Sequence, residues 1–185
     1  MTQQDISNQI VQTATSYGVD PRLALEVARQ ESGLDNSRTS SAGAIGIFQL
    51  LPSTAADLGV DPHDPVQNID GGIRYLSQLI GKYAGNVAEA LAAYNWGMGN
   101  MDAALAAHGI TWMQYAPLET QDYVQTILGN VSGQYSFSVG TPSTPGIDST
   151  ATDQASAVPD IAASGNLWWI IGAAFVGWAL FEFLR

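Results

Sequence analysis

Apolar residues recur along this chain at intervals of three and four, while the strict alternation of a half-buried strand is scarce. Ile69, Ile73, Leu76 and Ile80 form the cleanest stripe and predict an amphipathic helix. A second helix is predicted over PRLALEVARQES, where Asp20 is a good N-cap, Pro21 suits the first helical position and Gly33 supplies a stop. Leu23, Val27 and the Gln30-Glu31 pair share one face of it, which sets Glu31 beside the core rather than in open water. Pro52 opens a short helix that ends at Gly59, and Asn86 with Glu89 resembles a capping arrangement for VAEALAAY. A further helix is expected from Leu118 to Leu128, with Tyr123 and Ile127 turned inward. The fold class is therefore mainly α, with a helical domain over residues 1–137.

The pattern then breaks. From Gly140 to Gly165 the chain has three prolines and no aromatic residue, so it has nothing from which to build a core. A flexible linker is expected over residues 138–165, and its Gly140–Gly165 stretch has a coil reach of about 25–30 Å. From Ile161 to Phe181 the sequence has no charge, and its 21 residues would span roughly 30 Å as a helix. Trp168, Trp169 and Trp178 stand near its ends, as interfacial anchors do. We therefore expect a transmembrane anchor over 166–185, with lipid membrane as its partner, the alternative being a core helix of the helical domain. The N-terminal MTQQDISNQIVQTA has neither the basic start nor the apolar run of a secretory signal.

Charge narrows the function classes. The net charge is −11 with six Lys and Arg together, which repels phosphate backbones and argues against nucleic acid as a partner. There is no cysteine to serve as a thiolate nucleophile, and His63 and His108 stand too far apart to read as a metal pair. Neither a metal nor a cofactor is expected.

Glu31 is the most suggestive ionisable residue. It lies in the last turn of its helix, where the negative end of the helix dipole and partial burial both favour the protonated form. That is the state a general acid needs. Asp35 is the nearest acidic companion, but it stands beyond Gly33 in a polar, Asn-flanked turn typical of a solvated residue.

The run ESGLDNSRTSSAGAIGIFQLLPSTA, from Glu31 to Ala55, resembles the core of the soluble lytic transglycosylases, relatives of goose-type lysozyme. NIDGGIRYL, AYNWG at 93–97 and ETQDYV at 119–124 resemble three further motifs of that family, in the family's order. Together they cover about residues 20 to 130. The resemblance implies a lysozyme-like helical fold and peptidoglycan glycan strands as the substrate. It implies that Glu31 protonates the glycosidic oxygen between N-acetylmuramic acid and N-acetylglucosamine. The substrate's own acetamido group and C6 hydroxyl then complete the reaction, leaving a 1,6-anhydromuramyl end. It further implies substrate-binding roles for Ser40, Gln49, Tyr94, Asn95 and Tyr123, with Tyr123 bonded to Glu31 or to its sugar. Ser32 reads as structural, and Gly43 and Gly46 as backbone turns. Trp112 reads as an exposed tryptophan able to stack on sugars or to pack.

Three positions depart from the family pattern: Phe48 stands for a common methionine, Trp96 for a small residue, and Arg38 for a small residue in the turn. Two other function classes stay open at this point. One is a conventional hydrolase using Asp35 as a second carboxylate, and the other is a non-catalytic glycan-binding membrane protein. The layout of head, leash and anchor resembles transglycosylases of membrane-containing phages. That places the chain in an internal virion membrane for cell-wall penetration, the alternative being a bacterial envelope membrane.

Overall fold

A computed structural model describes residues 1–131; the expected linker at 138–165 and the expected membrane anchor at 166–185 lie outside the described residues. Among the described residues, no helix is long and apolar enough to cross a membrane. Among the described residues seven α-helices follow one another: α1 (Gln3–Ser16), α2 (Pro21–Ser32), α3 (Pro52–Leu58), α4 (Pro65–Lys82), α5 (Val87–Trp96), α6 (Met98–His108) and α7 (Leu118–Asn130). A 3-10 helix, Gly109–Tyr115, joins the last two.

Side-chain caps explain several of the boundaries. Asp20 accepts a hydrogen bond from Arg22 N at 2.8 Å ahead of Pro21, and Asp64 accepts from Gln67 N at 2.9 Å ahead of Pro65. Asn86 accepts from Glu89 N, as an N-cap does, and its side-chain amide rather than its backbone N–H donates to the Glu89 carboxylate. Thr2 and Asp5 form a reciprocal capping box at the start of α1. Gly33 and Gly59 close α2 and α3 in the left-handed conformation, with φ of 69° and 67°.

The bounds of α1 and α6 were not evident in the sequence pattern, because α1 is largely polar and α6 is rich in small residues. In α4 the stripe is as expected, with Ile69, Ile73 and Leu76 fully buried and Ile80 partly so. Helix α5 is different, because Val87, Ala88, Ala90, Leu91, Ala92 and Ala93 are all buried. A helix apolar on every side belongs inside the fold, and α4, α6 and α7 pack around α5. Helix α2 packs against α1 and α7. Strand structure among the described residues is confined to two isolated bridges, Thr39 with Ile45 and Ile45 with Leu50. They brace the irregular segment between α2 and α3. Trp112 is 4% exposed, so its expected exposure is corrected and, of its two readings, packing holds: the residue is part of the core.

Candidate active site

Glu31, near the end of α2, meets the body of α7 beside an irregular segment that its neighbour Ser32 helps to hold. The side chain projects from the last turn of α2, just before the left-handed Gly33. Helix α7 supplies Tyr123, whose hydroxyl donates to Glu31 Oε1 at 2.7 Å. Burial raises the Glu31 pKa from 4.5 to about 7, against the Tyr123 hydrogen bond and the Arg38 charge, which both favour the carboxylate. The nearby charge of Glu119, in the first turn of α7, adds to the rise. A carboxyl group poised near neutrality can both release and accept a proton at working pH.

The loop 45–49 forms the neighbouring wall, and its backbone is fastened by side chains from two helices. The Phe48 N–H donates to Asn68 Oδ1 at 2.8 Å, and the Phe48 carbonyl accepts from the Tyr94 hydroxyl at 2.9 Å. Asn68 is fully buried and also donates to the carbonyls of Ile45 and Pro62, at 2.9 and 3.0 Å. Gly46, at φ 80°, lies so close that an added Cβ would stand 2.5 Å from Asn68 Nδ2. Ser32 is structural, as expected: it is buried and its hydroxyl donates to the Ile47 carbonyl at 2.8 Å.

The other expected site residues fall into two groups. Tyr94 stands close enough to Glu31 for that charge, with burial as the larger cause, to hold its hydroxyl in the protonated form well above neutrality. Asn95, next on α5, accepts a hydrogen bond from Thr120 Oγ1 at 2.8 Å through its carbonyl oxygen, which leaves its amide N–H groups as the donors. Gln49 sits at φ 46° and spends both N–H groups on the carbonyls of Arg38 and Gly46, at 3.1 and 2.8 Å. Toward a ligand it is therefore an acceptor through Oε1, not the donor and acceptor its residue type allows. Ser40 turns to its own loop: its hydroxyl accepts from Ala44 N at 3.0 Å, and its N–H donates to the Ala44 carbonyl. That bonding is the turn-forming role of a serine. Asp35 is exposed and accepts from the Ser37 N–H and hydroxyl at 2.8 and 2.6 Å.

Sequence reasoning missed Asn68 and Thr120 as supports. Both lie inside quoted motifs, but a polar residue on an amphipathic helix reads as solvated until its partners are known.

Comparison with known proteins converges on one family. The profile described as "Transglycosylase SLT domain" matches residues 8–111. The chain is 44% identical over 85 residues to the transglycosylase of Enterobacteria phage PRD1, covering 45% of this chain and 32% of that protein. It is 42% identical over 100 residues to the membrane-bound lytic murein transglycosylase F 1 of Alkalilimnicola ehrlichii, covering 50% of this chain and 20% of that one. Among solved structures, the 70 kDa soluble lytic transglycosylase of Escherichia coli superposes with a TM-score of 0.61 at 26% identity, over 66% of this chain and 23% of that one. An inactive mutant of the lytic transglycosylase Slt from Pseudomonas aeruginosa gives a TM-score of 0.59 at 29% identity, over 66% of this chain and 22% of that one. These relatives are much longer than the shared region, which spans a third of their length or less.

Proposed function

Because the chain belongs to the transglycosylase SLT domain family, we propose that it cleaves the MurNAc-GlcNAc bond of peptidoglycan without consuming water. The observation that carries this reading is the state of Glu31. It is a partly buried carboxyl with a pKa of about 7, hydrogen-bonded to a neutral tyrosine. Protonated Glu31 delivers its proton to the glycosidic O4 as the C1–O4 bond breaks, and the acetamido carbonyl of the same muramic residue shields the positive charge at C1. The resulting carboxylate then takes the proton of the C6 hydroxyl while O6 bonds to C1. Atoms and charge balance: one bond to C1 is exchanged for another, Glu31 ends protonated, and the product is a 1,6-anhydromuramyl end. The attacking oxygen belongs to the same sugar as the centre it attacks, so the step gains the high effective concentration of an intramolecular reaction.

Tyr123 holds the Glu31 carboxyl in place, and Tyr94 holds the loop wall through the Phe48 carbonyl. The Asn95 amide N–H groups suit a sugar carbonyl, and Gln49 Oε1 suits a sugar N–H or O–H. Ser40 shapes its turn by accepting from Ala44 N through the hydroxyl oxygen, which leaves the O–H proton to donate to substrate.

The setting we propose is a membrane one, with residues 166–185 as anchor and a phage virion membrane as the location, for local penetration of the cell wall. Its support is the uncharged apolar run at 161–181 and the similarity to a phage transglycosylase and to transglycosylases named as membrane-bound.

Digestion of purified sacculi by the full chain, followed by mass spectrometry of the fragments, tests the chemistry. Anhydromuramyl ends are expected, and they are expected to vanish with Glu31→Gln. Hydrated ends alone would overturn the reading. Such ends would direct attention to Glu119, whose charge reaches Glu31, rather than to Asp35.

A further inference from the structure

Tyr75 belongs to none of the roles described so far. It lies on α4, three residues beyond Gly72, the glycine that presses against Phe48 so closely that a Cβ there would stand 2.3 Å from the Phe48 Cβ. The same face of the helix therefore carries Tyr75 alongside the loop wall, one turn further on. Its ring packs on Tyr94, with centroids 5.3 Å apart and planes tilted by 49°. It is only partly buried against the core.

Its hydroxyl is the telling feature. The Tyr17, Tyr83, Tyr94 and Tyr123 hydroxyls each donate to a named oxygen, those of Asp70, Asp102, Phe48 and Glu31. The Tyr75 hydroxyl has no hydrogen-bond partner among the described residues, and it is not sealed from solvent. A tyrosine held with its body packed and its polar tip open is the arrangement that meets a ligand with an apolar face and a hydroxyl rim. A pyranose is such a ligand. Glu31's charge acts on Tyr94 and Tyr123, whereas burial alone accounts for the raised pKa of Tyr75. Tyr75 therefore meets the site through the Tyr94 ring, while the bond to Glu31 is made by Tyr123.

We propose that Tyr75 forms a sugar-binding subsite beside the point of cleavage, its ring lying along one pyranose and its hydroxyl bonding that sugar's hydroxyl or acetamido group. This rests on the glycan-cleaving reading and deepens it. Tyr75 grips the strand outside the bond being cut, so it governs affinity for extended glycan and leaves the proton transfers to Glu31.

The experiment uses the full chain and peptide-free glycan strands of graded length. With Tyr75→Phe, KM for long strands is expected to rise about 3- to 10-fold, the loss of one hydrogen bond. Tyr75→Ala, which also removes the ring, is expected to raise it further, by tenfold or more. In both variants kcat and the pH profile are expected to stay at the wild-type values, and the thermal midpoint of Tyr75→Phe to be unchanged. Unaltered KM in Tyr75→Phe and Tyr75→Ala would overturn the subsite, as would a fall in kcat or a shifted pH profile without a change in KM. A parallel binding titration with N-acetylglucosamine oligomers, in the Glu31→Gln background, separates the two ideas. Tyr75-dependent binding by a chain whose wild type cuts no glycan would sink the proposed reaction and keep the subsite. Cleavage with binding indifferent to Tyr75 would do the reverse, and absence of both would sink the two together.

Discussion

Replacing Glu31 by glutamine removes a charge that the fold is poorly built to hold, and the consequence for stability is computable. Glu31 ionises near 4.5 when free and near 7 in the folded chain. Below about pH 4.5 the carboxyl is protonated in both states, and it adds no penalty. As pH rises past 4.5 the unfolded chain ionises it freely, while the folded chain still holds the proton. Stability is lost through this window, and the loss levels off above about pH 7. A gap of about 2.5 pKa units, from 4.5 to about 7, amounts to about 3 kcal/mol. Glutamine keeps the shape of the side chain and an oxygen to accept the Tyr123 hydroxyl, but it cannot ionise. Urea unfolding of wild type and Glu31→Gln is the assay. The variant is expected to match the wild type near pH 4 and to exceed it at pH 8 by up to about 3 kcal/mol, with cleavage abolished throughout. A stability difference that does not vary with pH, or a variant weaker than the wild type at pH 8, would refute the reasoning.

Two further outcomes follow from the same geometry. Tyr123→Phe deletes the hydrogen bond that favours the carboxylate. Glu31 should then hold its proton to higher pH, and the alkaline limb of kcat/KM should move up by about one to two pH units; a limb that stays or moves down contradicts it. Gly46→Ala and Gly43→Ala form a matched pair at φ 80°, but only at position 46 does the new Cβ strike a neighbour, Asn68. Gly43→Ala is expected to cost about 1–2 kcal/mol in unfolding experiments with near-normal turnover. Gly46→Ala should cost more and lower kcat/KM, because it displaces the residue that holds the loop wall.

The parts legible in the sequence were those set by local rules. Asp20-Pro21 with Gly33 framed α2, the Ile69-Ile73-Leu76 stripe gave α4, and the Asn86-Glu89 pair started α5. Glu31 and Tyr123 were readable because helical spacing turned each toward the core, although their meeting at 2.7 Å joins residues 92 positions apart. What escaped was the bonding of polar groups over long separations. Nothing local says that the Gln49 amide is consumed by Arg38 and Gly46, or that Asn68 points inward to hold Phe48. The burial of Trp112 was not evident because its surroundings, a 3-10 helix closing onto α6, offer no apolar period to announce it. The helices were therefore easier to read than the long-range bonds that join them.

The way Phe48 is held bears on how this architecture can be altered by engineering. Its N–H and its carbonyl are tied to different helices, so segment 45–49 cannot change length without pulling on both. The stretch from Ser40 to Ala44, by contrast, closes on itself through its own backbone and one serine hydroxyl. Extra residues meant to lengthen the rim, or a grafted recognition loop, belong in that self-contained turn, where the hinge of the insertion strains nothing that holds the acid in place.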